Sequence, residues 1–84
     1  MFYTYVLWNK EDKKFYIGYT ADLKRRMQEH NCNGVHSTSR FKSAKLIFYE
    51  AFLSKEDSIR RERYFKTAKG KKTLRLIVRE SINI

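Results

Sequence analysis

The sequence contains no proline, only three glycines and a single cysteine in 84 residues. With so little of the material of linkers, and no internal repeat, residues 1–84 read as one domain with one core. Cys32 has no partner for an internal disulfide, which points to a reducing cytoplasm. Long apolar runs are missing too. The stretch Leu46–Tyr49 is far short of the ~20 residues a membrane helix requires. No apolar core follows the first residues, as a signal peptide would need. Acidic residues are also scarce: nine Asp and Glu stand against nineteen Lys and Arg, a formal net charge of +10. Self-repulsion of that size adds nothing to the stability of a small fold. It points to a polyanionic partner, with nucleic acid ahead of an anionic membrane or an acidic protein.

Aromatic residues, by contrast, are abundant. Six Phe, six Tyr and one Trp exceed what a disordered chain carries, so this one folds. Phe2-Tyr3-Thr4-Tyr5-Val6-Leu7-Trp8 is aromatic and β-branched, which predicts a strand. A polar stretch from Asn9 to Lys13 separates it from a second strand-like run, Lys14 to Tyr19, giving a β-hairpin. Asp22 is a good helix N-cap for Leu23 to Asn31. An Asn-, Ser- and Gly-containing loop follows to about Lys45, then a third strand from Leu46 to Phe52. Ser54-x-x-Asp57 has the form of a capping box for a second helix reaching about Ala68, with Gly70 as its stop. Leu74, Ile77, Val78 and Ser81 recur at helical spacing, which predicts a short third helix. The order is ββαβαα: an α+β fold with a small three-stranded antiparallel sheet flanked by helices.

Alternation divides the hairpin into two faces. Phe2, Thr4, Val6, Trp8, Phe15, Ile17 and Tyr19 form the core face, while Tyr3, Tyr5, Leu7, Lys14, Tyr16 and Gly18 form the other. A turn centred on Lys10-Glu11 sets Tyr5 opposite Tyr16 and Tyr3 opposite Gly18. Two phenols then stand together beside a glycine that leaves space. On the first helix, Leu23, Arg26, Met27 and His30 share one stripe at spacings of three and four. An Arg and a His thus lie where Leu and Met turn toward the body of the protein. On the second helix Glu62 falls between Ile59 and Phe65 on a broad face that also carries Arg63 and Lys66. A carboxylate there needs a cationic partner or a metal.

These residues also match a family. Thr4-Tyr5-Val6, with Tyr16-Ile17-Gly18 ten residues later after Val6, resembles the paired tripeptides of the GIY-YIG nuclease superfamily. The second tripeptide is literal; the first keeps its Tyr, with Thr for Gly and Val for Ile. The pattern continues through Leu23, Arg26 and His30, and Glu62 sits where the family has its catalytic acid. The likeness runs over about residues 2 to 80. It is greatest to small stand-alone bacterial members, which are similar to the nuclease domain of the excision-repair UvrC subunit and to those of intron homing endonucleases. The resemblance implies a metal-dependent phosphodiesterase that cuts DNA, in repair or recombination. Tyr5, Tyr16, Arg26, His30 and Glu62 would form the catalytic group, and Glu62 would hold Mg²⁺ or Mn²⁺. Two departures stand out: the stretch from Lys66 to Arg79 lacks the Asn that several relatives carry, and Tyr19 replaces a Lys of some repair relatives.

The implied chemistry suits these side chains. One carboxylate with waters and substrate phosphate is enough for Mg²⁺. Arg26 offers a planar fork to two phosphoryl oxygens. A phenol accepts a proton only where cations stabilise its phenolate. Arg26, a metal and the basic surface would supply that field, for Tyr5 or for Tyr16. Arg25, Arg40, Lys42, Lys66, Lys71, Lys72, Arg75 and Arg79 are the expected phosphate-tracking set, and Lys71, Arg75 and Arg79 make one i, i+4 stripe. The expected partner is DNA, with RNA a second candidate and no membrane. The competing reading is a non-catalytic basic nucleic-acid-binding module on the same fold. His30, Cys32 and His36 lack a fourth ligand for a structural zinc site. Gly70-Lys71-Lys72-Thr73 lacks the upstream glycine of a phosphate-binding loop.

Overall fold

The computed structural model describes residues 1–32 and 44–84, and of residues 30–32 the backbone alone. The expected positions Arg40, Lys42 and His36, and the side chains of His30 and Cys32, lie outside the described residues. Strands β1 (Phe2–Asn9) and β2 (Lys14–Thr20) precede helix α1 (Leu23–Cys32) and strand β3 (Ala44–Phe52). Helices α2 (Lys55–Phe65) and α3 (Ala68–Ile77) follow, with a closing 3₁₀ turn at Ser81–Asn83. The sheet is antiparallel in the order β2-β1-β3. The α+β class and the ββαβαα order agree with the sequence. Among the described residues no helix is long and apolar enough to cross a membrane.

The hairpin register differs from the turn-centred expectation by one cross-strand pair. Tyr5 lies opposite Gly18, Leu7 opposite Tyr16 and Tyr3 opposite Thr20. The cause is the turn, which occupies the four residues 10–13 instead of two central ones. Asn9, itself buried, caps it: its Oδ1 accepts from the backbone N–H of Glu11 at 3.0 Å and of Asp12 at 3.1 Å. Lys13 closes it with a left-handed φ of 54°. The shift by a full pair keeps every side chain on its expected face.

As the central strand, β1 is covered on both sides. Val6 joins Phe65, Leu74 and Val78 in the buried core, with Phe15, Ile17 and Phe48 packed around it. Burying each such side chain is worth about 1.5–3 kcal/mol. Tyr5 and Leu7, on the face that alternation marks as less apolar, are buried as well. Thr4 is fully buried and its hydroxyl donates to the Ser58 carbonyl at 2.8 Å. The bond ties α2 to the sheet one helical turn before Glu62, and glycine could not make it. Arg61 anchors the other side of α2, donating through Nε to Glu50 at 2.8 Å and lying 4.5 Å from the Phe65 ring centre.

Two helix boundaries correct the sequence reading. Helix α2 stops at Phe65, and Gly70 lies inside α3, where Thr67 Oγ1 accepts from the Gly70 N–H at 2.9 Å as the N-cap. Gly70 is required by close packing, since a Cβ there would fall onto the Tyr64 carbonyl. The three-residue reach of the Thr67 cap is short-range, but the α2–α3 contact that demands glycine is tertiary. Because α3 ends at Ile77, Arg79 lies beyond it and the basic stripe ends at Arg75. The Ser54 capping box does not form either: the Ser54 hydroxyl instead donates to Glu56 Oε1 at 3.0 Å.

Candidate active site

Gly18 determines where the Tyr5 phenol lies. An added Cβ at Gly18 would meet Tyr5 Oη at 2.5 Å and Cζ at 2.7 Å. The phenol therefore lies across the glycine, directly over β2. Any side chain at this position would push it away. Tyr16 follows on the same face two residues earlier, diagonal to Tyr5 across the hairpin.

Helix α1 brings Arg26 to this region. Asp22 forms the expected cap, with its Oδ1 accepting from the Arg25 N–H at 3.1 Å. Leu23 and Met27 are half-buried and line a groove with Tyr3, Leu46 and Tyr49. That fixes the helix and leaves Arg26 at its rim, its side chain 44% exposed. Arg25 and Arg26 share a cleft with Thr20, Asp22 and Glu29. Both guanidinium groups face Glu29 through long contacts of 3.5 and 3.8 Å, and exposed pairs of this kind bind weakly. Both remain accessible to a stronger anion.

Glu62 approaches from α2. Its side chain is only 15% exposed, and Lys66 Nζ donates to its Oε2 at 3.1 Å. The carboxylate on the core-facing stripe thus has its cationic partner one helical turn away. Among the described residues no three His, Cys, Asp or Glu side chains group as a metal site. A divalent ion at Glu62 would therefore find fewer than three such protein ligands among the described residues. Mg²⁺ is commonly held by one or two carboxylates, its shell completed by water and substrate phosphate. A shielded carboxylate already attracting a cation fits that arrangement.

The three elements meet electrostatically at Tyr5. Burial is the main cause that lifts its phenol above the ordinary value near 10.0; Arg26 pulls it down, and Glu62 and Glu29 push it up. Burial outweighs the cation, contrary to the expectation that Arg26 would favour the phenolate. The neutral phenol is thereby favoured in the folded state. Its contribution to stability is complete below the unfolded value near 10 and is lost as pH rises through the higher folded value. We expect the melting temperature of the parent to fall more steeply than that of Tyr5→Phe above pH ~10, where the unfolded phenol ionises. Parallel melting curves across that range would remove burial as the cause.

The phosphate-tracking set is spread out. Arg25 sits with Arg26 at α1, and Lys66 is engaged by Glu62. Lys71, Lys72, Arg75 and Arg79 are exposed. Arg75 lines a cleft with Trp8, Lys10 and Lys13 at the turn end of the hairpin. Sequence reasoning missed Arg61, whose bond to Glu50 depends on how α2 lies over β3, and it missed the lysines around Trp8.

Comparison with known proteins bears on the family and the fold. The family model described as the GIY-YIG catalytic domain matches residues 1–75. A UPF0213 protein of Pediococcus acidilactici is 34% identical over 79 residues, covering 90% of this chain and 80% of that protein. A UPF0213 protein of Streptococcus agalactiae serotype V is 43% identical over 65 residues, covering 76% of this chain and 73% of the relative. The solution NMR structure of a UPF0213 protein from Bacillus halodurans superposes with a TM-score of 0.57 at 30% identity, covering 92% of this chain and 85% of the other. The chain belongs to the GIY-YIG family and is similar to its small UPF0213 members.

Proposed function

We propose that this chain is a divalent-metal-dependent endonuclease that hydrolyses DNA phosphodiester bonds, with repair or recombination as its setting. The observation that carries the reading is the convergence at Tyr5: a phenol laid over Gly18 and subject to the charges of both Arg26 and Glu62. A phosphodiester at this point finds each group that hydrolysis needs. Arg26 binds two phosphoryl oxygens, displacing its weak contact with Glu29. Glu62 would hold Mg²⁺ or Mn²⁺, leaving Lys66 free to contact the phosphate. When bound, the ion supplies charge neutralisation at the phosphoryl group. Tyr5, kept neutral by burial, donates its hydrogen bond to orient the reacting groups, and Tyr16 stands on the same sheet face as the second phenol of the site. His30 belongs to the same group by its place on α1.

The Glu62–Lys66 pair favours one competing reading, a basic nucleic-acid-binding module without catalysis, because an internal lysine already satisfies the carboxylate. Nicking of supercoiled plasmid separates the two. The nuclease requires nicks with Mg²⁺ or Mn²⁺ that disappear on chelation. Binding without nicking in either metal would leave the module. In both cases binding rests on Lys and Arg contacts to phosphates. With about five phosphates neutralised, log affinity should fall against log salt with a slope near ~−4 to −5. Affinity that does not change with salt would remove the basic surface as the binding element.

A further inference from the structure

We propose that the turn end of the hairpin is a second nucleic-acid contact, a phosphate-binding cleft around Trp8 that is separate from the Tyr5 site. Trp8 sits on the α2–α3 face of β1, the face opposite Tyr5, with Lys45 directly across from it on β3. On one side of the indole, a cleft is lined by Lys10, Lys13, Arg75 and Ile82. A second cleft, shared through Trp8 and Lys10, reaches Lys45. All four cations are exposed, and among the described residues none makes an ion pair. The turn also carries two carboxylates, Glu11 and Asp12. Asp12 is drawn to Asn9 Nδ2 at 3.4 Å.

Two further features mark the turn and the indole. The turn is held rigidly: Asn9 Oδ1 takes the Glu11 and Asp12 N–H groups, and Lys13 adopts a left-handed φ of 54°. Lysine adopts that conformation at a cost, whereas glycine or asparagine would adopt it readily. Here it fixes the backbone that carries Lys10 and Lys13. In addition, the Trp8 indole Nε1 is buried and, among the described residues, has no hydrogen-bond partner. The protein thus gathers four cations, none in an ion pair among the described residues, around a single indole. A phosphate supplies the missing counter-charge. Because successive phosphates are the ligand that would span two adjoining basic clefts, the partner is a nucleic-acid backbone, held by charge and without base readout.

This inference rests on a nucleic-acid ligand but not on cleavage. Trp8 is the one tryptophan in the chain, so its emission reports this cleft alone. The test titrates the full chain with a 20-base-pair duplex of mixed sequence in EDTA at low salt, following Trp8 emission and fluorescence anisotropy of the labelled duplex. Trp8 emission should change in step with binding. In Lys10→Gln/Lys13→Gln/Arg75→Gln that response should vanish, affinity should fall about tenfold, and the salt slope should shrink by roughly 2–3. The control Lys24→Gln/Lys55→Gln/Lys69→Gln removes the same charge elsewhere and should stay within about twofold of the parent. Saturating binding with Trp8 emission unmoved overturns the site, whatever the variants do. So does an equal loss in both triple variants, since binding would then follow net charge. A parent that never nicks DNA but gives the Trp8 response overturns the nuclease reading and leaves this site standing.

Discussion

Glu62→Ala should abolish metal-dependent cleavage while leaving the fold intact. The side chain is 15% exposed and its partner is Lys66, itself 54% exposed, so removal strands no buried charge. Lys66 turns to solvent, and the stability cost stays near that of one partly screened pair, about 1 kcal/mol or less. The catalytic cost is of another order. Among the described residues no three metal-ligating side chains group together to take over the ion. Plasmid nicking in Mg²⁺ should therefore fall to background while the circular dichroism melt barely moves. Glu62→Gln refines the result, since the amide keeps the volume and loses the charge. A variant that cuts like the parent would remove Glu62 from the mechanism.

Tyr5→Phe and Tyr16→Phe should each lose ~10²–10⁴-fold in cleavage rate, the range that proton-transfer and orienting groups usually supply. Phenylalanine keeps the ring over Gly18 and its packing but deletes the hydroxyl. The net stability cost of a lost hydrogen bond is only about 0.5–1.5 kcal/mol. Each variant should retain duplex affinity, because binding rests on the cations. Gly18→Ala makes the same point from the opposite strand. It keeps the Tyr5 hydroxyl but displaces it, because the added methyl meets the far end of the ring and not backbone. It should mimic Tyr5→Phe in single-turnover rate with a small change in melting temperature. If the three variants cut normally and only melt earlier, the phenols are packing residues and the chemistry lies elsewhere.

Gly18 and Gly70 show why their roles were not equally legible. At Gly18 the literal Tyr16-Ile17-Gly18 tripeptide and the strand alternation already placed it beside the phenols. The register error of one pair did no harm to that placement, because side chains alternate with period two. Gly70 has no such local signature. It reads as a helix stop, and only the packing of α3 against the Tyr64 carbonyl reveals why glycine is needed. The Asp22 cap was legible because capping is decided within one helical turn. The Ser54 box failed at equally short range, since Glu56 competes for the hydroxyl.

The sequence by itself determined the elements, their order, the basic character and the set of chemically capable residues. Those follow from local propensity, alternation and composition, each fixed by neighbours along the chain. Tertiary structure decided the rest. It buried Tyr5 and so raised its phenol against the pull of Arg26. It gave Glu62 to Lys66, and it set Arg75 beside Trp8, Lys10 and Lys13. Desolvation and charge proximity depend on what lies within a few ångströms in space. In this chain those neighbours come from strands and helices far apart in sequence.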